Sequence, residues 1–86
     1  MLFKKMRYQV LVKFDNLDCT DQERKTYFLA AVKYHAYIVG NSRTGISTMF
    51  ITSNEDLSEK VLVRDLNGLE IISFRIDSLA KTKKLI

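Results

Sequence analysis

The chain has 86 residues, room for one hydrophobic core and no second domain, and its 47% hydrophobic and 28% charged content fits a folded domain rather than a disordered segment. Its longest uninterrupted apolar run, Phe28 to Val32, falls far short of the roughly 20 residues that a membrane-spanning helix needs. The net charge of +4 is carried by the ends: Lys4, Lys5, Arg7, Lys81, Lys83 and Lys84 supply six positive charges, and without them the stretch 8–79 stands at −2.

From Arg7 to Asp15 the chain alternates, with Tyr8, Val10, Val12 and Phe14 on one side and Gln9, Leu11 and Lys13 on the other, which predicts a half-buried strand. Thr20-Asp21-Gln22-Glu23 is a capping box: the Thr20 hydroxyl can accept a first-turn N–H while the Glu23 carboxylate accepts the N–H of the cap. The helix it starts is expected to run to about Tyr34, with Tyr27, Phe28, Ala31 and Val32 as its apolar stripe and Arg24, Lys25 and Lys33 in water. Ala36 to Val39 reads as a short strand, and Gly40 to Gly45 as a turn with two glycines available for positive φ. Ile46 to Thr52 is the return strand, in which Ser47, Met49 and Ile51 oppose Ile46, Thr48 and Phe50. Ser53 or Asn54 can cap a second helix, with Glu55 and Asp56 against its positive end. The stretch 61–72 reads two ways, as two strands around an Asn67-Gly68 turn or as the end of a helix from about Glu55 to Leu66. Acidic residues at the start and a glycine past the end favour the helix. The last strand, Leu69 to Asp77, is expected to put Ile72, Phe74 and Ile76 on the core side and Ile71, Ser73 and Arg75 opposite.

This β-α-β-β-α-β order, without proline, repeat or linker, predicts an α+β ferredoxin-like sandwich: a four-stranded antiparallel sheet with two helices on one face. A single domain over 1–86 is expected, its core at about 7–78 and its basic ends at 1–6 and 79–86. The second face of the sheet is then bare. With the first and third strands central, Leu11 and Phe50 fall mid-sheet near Tyr37 or Val39 and Ile71. That apolar patch is the surface expected to form a homodimer or to receive a protein partner.

The strand ending in an aspartate (Val10-Leu11-Val12-Lys13-Phe14-Asp15), the single βαββαβ domain and the closing Leu69-Glu70-Ile71-Ile72-Ser73-Phe74-Arg75-Ile76-Asp77 resemble Cas2-like small proteins. That superfamily includes CRISPR adaptation subunits and related toxin or antitoxin ribonucleases. The resemblance covers most of the chain at the level of fold, through short motifs. It implies that Asp15, with its counterpart in a dimer, is a candidate catalytic residue and metal ligand for Mg²⁺ or Mn²⁺, hard cations that take oxygen donors. Read from the residues alone, Asp15, Asn16 and Asp18 make a polar turn, and the tyrosine usual beside that aspartate is Phe14 here. An RNA-recognition module shares the topology but needs stacking rings on its two central strands, and Arg43 to Phe50 offers mostly aliphatic and hydroxyl groups there.

Other chemistry is sparse. His35 is the one histidine and lies at a helix-to-strand junction without a nucleophile arranged beside it. Cys19 is alone, so it neither closes an internal disulfide nor completes a thiolate metal site, which fits a reducing, cytoplasmic setting. Tyr27, Tyr34 and Tyr37 read as packing groups with wet hydroxyls. The leading expectation is therefore a small non-catalytic interaction or regulatory protein, phage or mobile-element encoded, with no cofactor, acting through its open sheet. The alternative is a nucleic-acid-binding dimer of Cas2-like build with Lys13, Arg43, Arg75, Lys81, Lys83 and Lys84 on phosphates. A nuclease built on paired Asp15 residues is the third reading, and none of the three involves a membrane.

Overall fold

The alternation of the first strand is realised side chain by side chain. Tyr8, Val10, Val12 and Phe14 are buried, while Leu11 is half-buried and Lys13 exposed on the other face. The structure, a computed structural model, describes residues 6–77, which form β1 (Met6–Lys13), α1 (Asp21–Lys33), β2 (Tyr37–Asn41), β3 (Ile46–Ser53), α2 (Glu59–Asp65) and β4 (Glu70–Asp77). All four strands pair antiparallel in the order β2-β3-β1-β4, so β1 and β3 are central, and the arrangement is the ferredoxin-like α+β sandwich. No helix among the described residues is long and apolar enough to cross a membrane.

The core lies between the sheet and its helices: Tyr8, Val10, Val12 and Phe14 from β1 and its exit, Met49 and Ile51 from β3, Tyr27, Ala30 and Ala31 from α1, and Leu62 and Leu66 from α2 and its end. The capping box forms with both of its hydrogen bonds, Glu23 N to Thr20 Oγ1 at 3.0 Å and Thr20 N to Glu23 Oε1 at 2.9 Å. The buried stripe of α1 differs from the expected one. Tyr27, Ala30 and Ala31, at i, i+3 and i+4, face the sheet, the two small alanines allowing close approach, and Val32 is 70% exposed. Phe28 sits at the flank, its ring edge-on to Phe14 with centroids 5.8 Å apart.

Two further expectations are corrected. The second element is a helix, which removes the two-strand alternative, but it begins at Glu59 under a Ser58 cap rather than at Glu55. The Tyr8 hydroxyl, reaching out of β1, accepts Leu57 N–H at 2.8 Å and donates to the Glu55 carbonyl at 3.3 Å, holding 55–57 out of the helix. In β4, Val12 faces Ile71 and Leu11 faces Ser73, so Ile72 is an extra residue in a β-bulge. The bulge resets the alternation: Ile71 packs against the core beside Phe74, and Ile72 is 43% exposed. Of the two glycines in the hairpin connection, only Gly45 takes a positive φ (71°); Gly40 lies within β2, opposite Ser47.

The two helices are tied at their C-terminal ends. Asp65 Oδ2 accepts from Lys33 Nζ at 2.9 Å and from the Tyr34 hydroxyl, and the Lys33 ammonium lies over the Tyr34 ring. Burial, followed by the Asp65 hydrogen bond and charge, pushes the Tyr34 hydroxyl up to about 12, with Arg64 pulling the other way. Partial burial raises the Asp65 carboxyl, but hydrogen bonds from Lys33 and Tyr34 and the charges of Lys33 and Arg64 outweigh it and hold the group below its ordinary value.

Candidate binding surface on the open sheet face

Residues directly opposite one another in an antiparallel pair share a face, so the pairing register maps the surface away from the helices. One row across the sheet reads Tyr37, Phe50, Gln9, Arg75; the next reads Val39, Thr48, Leu11, Ser73; a third reads Asn41, Ile46, Lys13, Glu70. Thr52 and Arg7 continue it beyond the first row. Among the described residues, no element lies over this face. Tyr37, Val39, Ile46 and Phe50 lie on the β2–β3 half together with Asn41, Thr48 and Thr52, and the charged residues lie on the β1–β4 half together with Gln9, Leu11 and Ser73. Of its charged side chains that are described, Arg7, Lys13 and Arg75 are basic and Glu70 is acidic, all of them exposed.

At one end of the face lies a shallow depression of about 560 Å³, bordered by Arg7, Gln9, His35, Tyr37, Phe50 and Thr52 among others. The Tyr37 and Phe50 rings stand side by side, centroids 6.2 Å apart, and are 71% and 40% exposed. His35 enters the depression from the junction between α1 and β2. Its φ is 52°, in the left-handed region, and the turn closes through Ala36 N to the Ala31 carbonyl at 2.9 Å and His35 N to the Val32 carbonyl at 3.2 Å. A helix C-terminus of this shape ordinarily places glycine there, because the left-handed conformation crowds a Cβ.

Leu11, Tyr37 and Phe50 therefore share the open face as expected, and Ile71 does not, since the Ile72 bulge turns it to the core side. Lys13 and Arg75 lie on the charged half of the face, whereas Arg43 is at the β2–β3 turn. Lys81, Lys83 and Lys84 fall outside the described residues. Arg7, Gln9 and His35 were not among the expected site residues. The alternation of β1, carried one step further, signals the first two, but no local pattern signals a histidine at a left-handed helix end.

Asp15 sits at the opposite end of the sheet, beyond Phe14, whose N–H donates to the Gly45 carbonyl at 2.9 Å. Its Oδ1 accepts Leu17 N–H at 3.0 Å and its carbonyl accepts Asp18 N–H at 3.0 Å, which is the polar turn read from the sequence. A depression of about 410 Å³ there is bordered by Lys13, Asp15, Asp18, Cys19 and Arg43 among others. Among the described residues, no three His, Cys, Asp or Glu side chains gather to hold a metal ion, so this donor set does not fit a cation site within one chain. The Cys19 thiol points back to the Asn16 carbonyl at 3.8 Å.

No protein-family model, curated protein or solved structure matches the chain.

Proposed function

We propose that this chain is a small non-catalytic binding module whose working surface is the open face of its sheet. One observation carries the reading: Tyr37, Val39 and Phe50 stand exposed on one contiguous surface that no described element covers. Apolar side chains left there contribute little to folding, and such patches mark docking surfaces.

The occupant expected from the sequence includes a second copy. Packing two such faces would carry Arg7, Lys13 and Arg75 from each copy into one contact. Burying those like charges weighs toward a partner other than the chain itself. Asp15 lies away from this face, its carboxylate accepting a backbone N–H in a turn, and takes no part in this reading.

Chemical denaturation tests whether the face is free in the folded protein. Tyr37→Ser is expected to change stability by no more than about 0.5 kcal/mol, as at an ordinary exposed site, while Met49→Ala on the same hairpin costs about 3 kcal/mol. A Tyr37→Ser loss approaching that of Met49→Ala would mean that the native chain already covers the face, and the reading would fall.

A further inference from the structure

We infer that the aromatic end of the open face binds single-stranded nucleic acid, with Tyr37 and Phe50 as platforms for stacked bases and Arg7 and Arg75 as phosphate contacts. The inference rests on the reading of the open face as the working surface and names its partner.

Three observations converge on this end of the sheet. The first is the pair of adjacent exposed rings, their centroids 6.2 Å apart on neighbouring strands. Every base has a π-face, so rings presented in this way take successive unpaired bases with little regard to sequence. A duplex keeps those faces stacked inside and cannot offer them.

The second is charge. Continuing the row beyond the rings leads through Gln9 to Arg75, and Arg7 lies on the same strand as Gln9, one alternation step away. At ~4.8 Å between strands the row from Tyr37 to Arg75 spans roughly 14 Å, room for two bases on the rings with their phosphates toward the arginines. The Gln9 amide between them carries both donors and an acceptor for a base edge. In the register Arg7 lies across from Asp77 and Lys13 across from Glu70, while Arg75 lies across from Gln9 with no acid opposite it, so the basic excess suited to a polyanion centres on Arg75.

The third is His35. The chain holds a left-handed residue at the rim of the depression and fills it with an imidazole instead of the glycine that would relieve the backbone. A planar, hydrogen-bonding side chain beside two rings is what a base-binding pocket uses.

The arrangement differs from the RNA-recognition module considered above. The rings here come from one central strand and the adjoining edge strand, while the open-face positions of β1 near them hold Arg7, Gln9 and Leu11.

The test is fluorescence anisotropy on the full chain with labelled oligo-dT, oligo-U and a duplex of equal length across a salt series. Oligo-dT or oligo-U is expected to bind more tightly than duplex. Phe50→Ala and Tyr37→Ala should each weaken binding about tenfold, the scale of one lost base stack, and Tyr37→Phe should restore it. Arg75→Ala should lower the slope of log affinity against log salt by about 0.7, one phosphate contact on a single strand. Lys25→Ala, which removes the same charge from the outer side of α1, should leave binding unchanged. His35→Gly should raise the unfolding midpoint while weakening binding, a pairing that a purely structural cap would not produce.

Equal affinity for duplex, indifference to both ring substitutions, or displacement by poly-glutamate as readily as by oligonucleotide would overturn the inference, the last in favour of an acidic protein partner. Absence of binding at low salt would overturn it as well. The denaturation result for Tyr37→Ser is independent of all these outcomes, so a free face without nucleic-acid affinity would end this inference and leave the binding-module reading intact.

Discussion

The Tyr27 hydroxyl is buried under α1 without a hydrogen-bond partner among the described residues, while the ring below it stacks on Phe14 with centroids 4.0 Å apart. Burial pushes its pKa up, an effect that the neighbouring Ser47 hydroxyl partly offsets, but Ser47 itself donates to the Phe14 carbonyl at 3.0 Å. A buried hydroxyl left unpaired costs about 1–3 kcal/mol, and its removal with the ring kept is mild. Tyr27→Phe should therefore raise stability by about 1 kcal/mol in urea unfolding; a loss instead would show that Ser47 serves Tyr27 as a true partner. Tyr34 is the opposite case, since its hydroxyl donates to a carboxylate. Its folded pKa of about 12 lies above the ordinary 10.0, so the stabilisation is complete below pH 10 and drains away as pH rises toward 12. For Asp65 the sign reverses: its folded value lies below 3.8, so its contribution is present above that pH and is lost as acid protonates it in the folded state. Denaturation at stepped pH should show an alkaline fall above pH 10 that Tyr34→Phe reduces and that Tyr27→Phe combined with it reduces further, with the Tyr34→Phe variant about 1.5 kcal/mol less stable at neutral pH.

At the level of elements, much of what is encoded within a few residues was legible, although the buried stripe of α1 and the Ser58 cap of α2 were not. The capping box, the alternation of β1 and the hairpin around Gly45 follow from local patterns and are present, and the strand order is the one usual for the fold. Much of what could not be read depends on contacts distant in sequence. The start of α2 is set by the Tyr8 hydroxyl, 49 residues from Leu57, which engages backbone groups that a longer helix would need for its first turn. Tyr8→Phe should free that segment: hydrogen exchange at Leu57 is expected to speed up while the β1 amides keep their protection, and unchanged exchange would mean that packing alone sets the boundary. The Ile72 bulge was invisible for a related reason. It is fixed by how β4 meets β1, and one inserted residue exchanges the faces of everything beyond it, which is why Ile71 was misplaced while Phe74 was not. The apolar part of the candidate surface was legible, through Leu11, Tyr37 and Phe50. Arg75 was legible as well, by the alternation of the last strand, whereas Arg7 and His35 were not among the expected residues.

Across the described residues the sheet has helices on one side and, on the other, exposed rings and aliphatics toward β2 and charged residues of both signs toward β4. Both exposed rings lie toward the β2 side, so a single strand bound as proposed crosses the sheet strands instead of running along them. The bulge in β4 has one more consequence. A flat outer strand with free amides and carbonyls invites another chain to add a strand and so build ribbons without end. An inserted residue breaks the even spacing of those groups and twists the outer strand, so β4 presents a poor template for extension. On the far side, β2 runs only from Tyr37 to Asn41 beside an eight-residue neighbour, which leaves little ladder to copy. The same irregularity that turns Ile71 inward thus guards the rim of the sheet, allowing the chain to display an apolar face without polymerising along its edges.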